Sequence, residues 1–291
     1  MKMMIISCIL FFFICYYFHK NKKLKIAIVA IGKMENHYIK EWVTHYYNLG
    51  FKKIFLYDNN DIDGERFEDE ISDFIKNNFV EIINYRGKFS DKNNNLQSKA
   101  YLDCYINRVK NYDYLAMFDI DEFLYLNNYT HISDYLSQPK FKDFDCIRFP
   151  WLIMDDNDLI IVNNNNYSLN KRFLRGKFSQ LGKSIFKTGI KQINSTRILN
   201  SHGPIGVKSC DSDGKICNSW VFETPQKKND YIKHFRYKTL QEFIDFKMVR
   251  LYPDQSHEKA KKDITFDNFF KVNKINKEKL NYIKKRGFKY K

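Results

Sequence analysis

Residues 114–122 read Tyr114-Leu115-Ala116-Met117-Phe118-Asp119-Ile120-Asp121-Glu122, five apolar residues running directly into three carboxylates. So short and continuous an apolar run is the form of a strand buried on both faces of a parallel sheet. Acids at its carboxyl end stand where open parallel sheets bind their ligands. Upstream the pattern repeats. Residues 25–31 (KIAIVAI) form one such run and end at Gly32; residues 53–57 (KIFLY) form a second and end at Asp58; residues 80–85 form a third. Between them lie helical patterns. Asn36 is placed to cap a helix whose Ile39, Trp42, Val43 and Tyr46 recur at helical spacing until Gly50, and residues 67–77 and 96–109 give two more. Strands alternating with helices of this length predict an α/β fold with a doubly wound, mostly parallel sheet.

Beyond Tyr135 the alternation weakens. Residues 146–151 and 159–162 read as strands flanking a loop at 154–158, the asparagine tract 163–166 as a surface loop, and residues 240–251 (LQEFIDFKMVRL) as an amphipathic helix. With no internal repeat, one main domain at 26–255 is expected, preceded by an anchor and linker at 1–25 and followed by a basic helical tail at 256–291. The chain has 291 residues, 44% hydrophobic and 29% charged, enough to fill a core and cover it.

The net charge of +15 raises polyanions as partners. The lysines are dispersed, however, and no recognition-helix, RNP or zinc-finger pattern accompanies them, so a specific nucleic-acid partner is not expected. Residues 3–18 (MMIISCILFFFICYYF) carry no charge and are followed by Lys20, Lys22 and Lys23. As a helix they would span about 24 Å, workable as a single membrane pass with snorkelling lysines. No small-residue cleavage site follows the run, which favours a retained anchor over a cleaved signal peptide. Cys104 and Cys146 sit among apolar neighbours as core residues, whereas Cys210 and Cys217 flank a turn-rich loop that a disulfide could close in an oxidising compartment.

The acids carry the chemistry. Asp119 and Asp121, separated by one residue, would in extended geometry place both carboxylates on one side, where they could share a hard cation with a diphosphate. Asp58 ends the second strand at the same edge. His234 and His202 are the candidate imidazoles, and Arg172, Lys183 and Lys187 the candidate fixed cations for a leaving diphosphate.

The chain resembles the family 92 glycosyltransferases, within the broader family 2-like group of GT-A fold. The matching residues are Lys33-Met34-Glu35-Asn36, Glu41-Trp42-Val43, Gly50, Tyr57-Asp58-Asn59, Gln97, Ala100-Tyr101-Leu102-Asp103-Cys104, Phe118-Asp119-Ile120-Asp121-Glu122-Phe123-Leu124, Trp151, His234-Phe235-Arg236-Tyr237-Lys238-Thr239 and Glu242-Phe243. Each is loose alone, but their order makes the set specific. The resemblance implies a GT-A architecture, a Rossmann-like nucleotide-binding half plus an acceptor half. It implies a nucleotide-sugar donor (a UDP-sugar, with galactose by analogy), Mn²⁺ or Mg²⁺, and inverting transfer to a glycan hydroxyl. Asp58 would meet the nucleoside, Asp119 and Asp121 the ribose and metal-diphosphate, and His234 would complete the metal or diphosphate site.

Inversion also needs a carboxylate base, for which Asp155 and Asp156, in the loop after Trp151, are the candidates. Here the sequence departs from the family, since the stretch after Trp151 has no glycine. Membrane orientation is open: the lysines after the anchor place the domain in the cytoplasm by the positive-inside rule, against the lumenal side common for such enzymes. Two other functions stay open: a metal-dependent phosphoester hydrolase built on the same acids, and a non-catalytic, membrane-tethered protein that binds glycans or nucleotide-sugars, for which the acids would be incidental.

Overall fold

The computed structural model describes residues 23–90, 95–163, 167–219, 221–225, 227–250 and 264–290. The expected anchor at 3–18, most of the asparagine tract and residue 251 lie outside them. Among the described residues no helix is long and apolar enough to cross a membrane.

The first half follows the sequence pattern. Strands β1 (Ile26–Gly32), β2 (Lys53–Asp58), β3 (Val80–Asn84) and β4 (Tyr114–Met117) pair in parallel in the order β3-β2-β1-β4. Helices α1 (Asn36–Asn48), α2 (Glu68–Lys76) and α3 (Leu96–Asn107) connect them. All seven residues of β1 are buried because helices cover both sheet faces. Ile26, Ile28 and Ala30 pack in one cluster with Ile39, Trp42 and Val43 of α1, while Ala27, Val29 and Ile31 pack in another with Ala100, Tyr101 and Cys104 of α3. The two-residue period of the strand sends alternate side chains to opposite layers. Asn36 is not the cap of α1: Glu35 holds that position without a side-chain cap bond, and Asn36 instead donates to Arg66 O at 2.9 Å.

The second half widens the same sheet. Its strands are β5 (Glu122–Tyr125), β6 (Cys146–Met154), β7 (Gly176–Lys187), β8 (Leu199–Asn200), β9 (Gly203–Pro204), β10 (Ser209–Asp211) and β11 (Tyr231–His234). The order continues β4-β7-β6-β11-β5, with β10 also on β6, while β8 and β9 form a separate hairpin. Five of the eight ladders of the main sheet are parallel, so it is mostly parallel as expected. Residues 159–162 form no strand; β6 runs on to Met154, and the chain then turns through Asn157 and Asp158, whose φ angles are 49° and 63°.

Residues 240–250 are not one α-helix. A short helix at Leu240–Glu242, opened by a Thr239–Glu242 capping box, widens into a π-turn at Phe243–Lys247 before one further turn at Met248–Arg250. The C-terminal helices Phe266–Val272 and Lys277–Lys285 pack back onto this region. Phe266, Phe269 and Ile283 share a buried cluster with Tyr237, Leu240 and Phe243.

Candidate active site

The acids after β4 close into a turn. The Glu122 N–H donates to Asp119 O at 3.0 Å, and the Asp119 N–H donates to the Glu122 carboxylate at 3.0 Å. The extended Asp119-Ile120-Asp121 geometry expected from the sequence is therefore corrected. Both acids still line one cavity, because Ile120 tucks beneath them against Gly32; a Cβ there would stand 2.2 Å from Ile120 Cδ1. Helix α1 pins the turn from below, with Trp42 Nε1 and Tyr46 OH each donating to Glu122 O at 2.9 Å. Strand β11 pins its flank: His234 pairs opposite Glu122, and the Phe235 N–H donates to Asp121 O at 2.8 Å.

Each carboxylate has distinct company. Asp119 accepts from Gln97 at 2.9 Å, Tyr101 at 3.0 Å and Lys183 Nζ at 2.9 Å. Burial lowers the pKa of Lys183, but Asp119 and Glu122 outweigh it and the net shift is upward, so Lys183 is a fixed cation. Burial pushes the Glu122 carboxyl well above its usual range, against the pull of Lys183 at 3.7 Å. Asp121 is 5% exposed. Burial disfavours its charge, yet His234 at 3.5 Å, Lys247 at 3.7 Å and Lys238 at 4.0 Å hold its carboxyl below the usual range. For His234 the balance goes the other way: burial outweighs the pull of Asp121 and pushes it below the ordinary histidine value.

These groups open onto a cavity of about 240 Å³. Its wall carries the carboxylates of Glu35, Asp119 and Asp121, five basic side chains (Lys33, Lys183, Arg236, Lys247 and Arg250), the imidazoles of His202 and His234, and Trp151. More cations than carboxylates face the space, which suits an anionic ligand. Among the described residues no group of three or more His, Cys, Asp or Glu side chains is placed to hold a metal ion. The pair Asp121 Oδ1 and His234 Nε2, 3.5 Å apart, nevertheless fits one. That separation is long for a hydrogen bond and close to the ~3 Å between neighbouring ligands of an octahedral cation with bonds of about 2.1 Å. One carboxylate and one imidazole are donors of the kind Mg²⁺ or Mn²⁺ takes, and the phosphates of a ligand would complete such a set.

The model of glycosyltransferase family 92 matches residues 25–286, which include every element of this cavity. The chain belongs to that family. No curated protein matches it. Among solved structures, the family 92 chain is similar to the mannosyltransferase PcManGT from Pyrobaculum calidifontis in complex with GDP-Man and Mn²⁺, at 7% identity and TM-score 0.36, over 62% of this chain and 50% of that one. It is also similar to S. aureus TarS 1–349 in complex with UDP, at 9% identity and TM-score 0.35, over 60% of this chain and 51% of that one. It thus spans about half the length of either.

Of the residues expected to act in this family 92 enzyme, the fold brings Asp119, Asp121, Lys183, His202 and His234 to the cavity. The others are engaged elsewhere. Asp58 accepts from Arg86 Nη1 at 2.6 Å and from Asn60, tying down the loop after β2. Arg172 makes a two-pronged ion pair with Glu242 at 2.7 and 2.8 Å, and Lys187 meets Asp145 at 3.4 Å on the surface. The expected bases are also displaced. Asp155 pairs with Arg175 at 3.2 Å, and Asp156 is buried against Lys279 Nζ at 2.6 Å. Burial raises the Asp156 carboxyl against that lysine, but in packing beneath the C-terminal helix and not at the cavity. Sequence reading missed Glu35, Lys247 and Arg250 as site residues. Lys247 and Arg250 stand three apart in the stretch read as an amphipathic helix, which hinted at a shared face; the π-turn that carries them inward left no such mark.

Proposed function

We propose that this glycosyltransferase draws its sugar from a nucleotide-sugar, binds the donor diphosphate in the cavity with a divalent cation between Asp121 and His234, and inverts the anomeric centre. The observation that carries the reading is the meeting of Asp121 and His234 at the carboxyl end of the parallel strands, in a cavity with an excess of basic side chains. The cation would be held by Asp121 Oδ1 and His234 Nε2, and when bound it supplies Lewis-acid neutralisation of the leaving nucleoside diphosphate.

The chain's own residues do the rest. Lys183, held between Asp119 and Glu122, presents a fixed positive charge, and from the π-turn region Lys247, beside Asp121, and Arg250, paired with Glu35, add two more to the cavity wall. Charges already oriented in a buried site stabilise a leaving diphosphate without reorganising as it departs. For the base we propose Glu35 in place of Asp155 and Asp156. It lines the cavity; its Oε1 accepts from Arg250 Nη1, while its Oε2 is buried with no hydrogen-bond partner, Lys238 Nζ standing 3.7 Å away. A glycan hydroxyl is the proposed acceptor, and residues 3–18 the proposed membrane tether.

Asp121→Asn tests the cation site while sparing the shape of the buried turn. Transfer should fall by about 10³-fold, and Mn²⁺ should no longer strengthen nucleotide-sugar binding in calorimetry. In the wild type, chelation should abolish transfer and added Mn²⁺ restore it. A variant that keeps its Mn²⁺ dependence would remove Asp121 from the site.

A further inference from the structure

Trp151 is 5% exposed, and its indole Nε1 is buried with no hydrogen-bond partner in the protein. Buried tryptophans ordinarily find an acceptor for this N–H, since leaving a donor unpaired away from water is unfavourable. The indole is also part of the cavity wall. An unpaired donor on a residue of the cavity wall is satisfied when a ligand seated against that wall brings the acceptor.

The backbone accounts for its placement. Along β6 and β7 the register slips between Pro150, opposite Gly182, and Leu152, opposite Phe178. The extra residues of β7 fall across from Trp151 and form a bulge, a device that re-aims a side chain out of the regular ladder. Gly182 permits the close approach, because a Cβ there would stand 2.0 Å from Phe149 O. The indole then rests 4.5 Å from the His234 ring and 5.5 Å from the His202 ring, centroid to centroid. His202 donates from Nδ1 to Gly182 O at 2.9 Å. One edge of Trp151 is thus fixed beside the proposed cation site.

We infer that the Trp151 indole N–H donates to a hydroxyl of the sugar being transferred. This rests on the nucleotide-sugar reading of the cavity. With the diphosphate at Asp121 and His234, the group bonded to its terminal phosphate is the hexose, and the wall next to His234 is Trp151. A planar apolar ring bearing one donor suits a pyranose, which offers both a C–H face and hydroxyl oxygens. Trp151 would then distinguish one hexose from its epimers.

The test compares Trp151→Phe, which keeps a ring and loses the N–H, with the wild type. Calorimetry with Mn²⁺ measures binding of UDP and GDP and of their hexose conjugates. The quantity of interest is the gain in affinity of a conjugate over its bare nucleoside diphosphate. Trp151→Phe should lower that gain by about 5- to 20-fold and leave bare diphosphate binding within about twofold. With the wild type alone, one monodeoxy hexose conjugate should lose a similar factor, a measurement independent of how well the variant folds. An unchanged gain, an equal loss for bare diphosphate and conjugate, or monodeoxy conjugates that all bind like the parent would each overturn the inference and leave the diphosphate site standing. A wild type that binds no nucleoside diphosphate and no conjugate would overturn the nucleotide-sugar reading itself, and this inference with it.

Discussion

At the scale of single residues, the cavity assigns different work to acids that look alike in sequence. Asp119 has each oxygen engaged by Gln97, Tyr101 or Lys183, so it acts as the anchor of a cation; Asp121 faces His234 and more distant lysines. Glu35, ion-paired with Arg250 and Lys238, keeps one oxygen without a hydrogen bond, and Glu35→Gln should lower transfer by about 10²- to 10³-fold while leaving nucleotide-sugar binding within a few-fold. Full activity in that variant would exclude it as the base. His45 carries a prediction about stability. Burial depresses its pKa to about 4, while its Nε2 donates to Leu124 O at 2.9 Å. The unfolded chain, with histidine near 6.5, binds the proton first as pH falls. His45 therefore contributes fully above about pH 6.5, and the contribution is lost as pH drops toward 4. Denaturant melts at several pH values should show a fall on the order of 2–3 kcal/mol across that window, and His45→Gln should flatten it.

At the scale of elements, the loop after β11 is rigid by construction. Glu242 closes the capping box with Thr239, accepts from Tyr38 OH at 2.7 Å, and takes both prongs of Arg172. This network holds the π-turn that carries Lys247 to Asp121 and, beyond it, Arg250 to the cavity. Arg172→Met should cost about 3–5 kcal/mol of stability, because it strands a buried carboxylate. Nucleoside diphosphate affinity of the folded fraction should stay within about threefold, measured below the melting transition, since Arg172 does not line the cavity. A selective loss of binding with unchanged stability would return Arg172 to the ligand. Local sequence cannot reveal this arrangement: the partners Tyr38, Arg172 and Glu242 are far apart in the chain, and a single π-turn is too short to set an apolar period of its own.

At the scale of the whole molecule, the C-terminal segment completes the fold. Its helices bury Phe266, Phe269 and Ile283, and Lys279, fully buried, neutralises Asp156. A chain ending at residue 263 should fail to accumulate in soluble form, and Lys279→Met should lower stability by about 3–5 kcal/mol in thermal or denaturant melts. Soluble, cooperatively folding protein from the truncated chain would show that the segment is dispensable. The parallel strands, their helices and the acids at the strand ends were legible from sequence, because hydrophobic periodicity is local and a doubly wound sheet obeys it residue by residue. The family motifs implied a shared site for His234 and Asp121, and the fold sets the two 3.5 Å apart. The fates of Asp58, Asp155, Asp156 and Arg172 were not legible. Whether a charged side chain meets a ligand or an opposite charge depends on which distant segment packs over it. Arg86, Lys279 and Glu242 are brought there by the tertiary fold, and nothing in the local pattern of charges announces them.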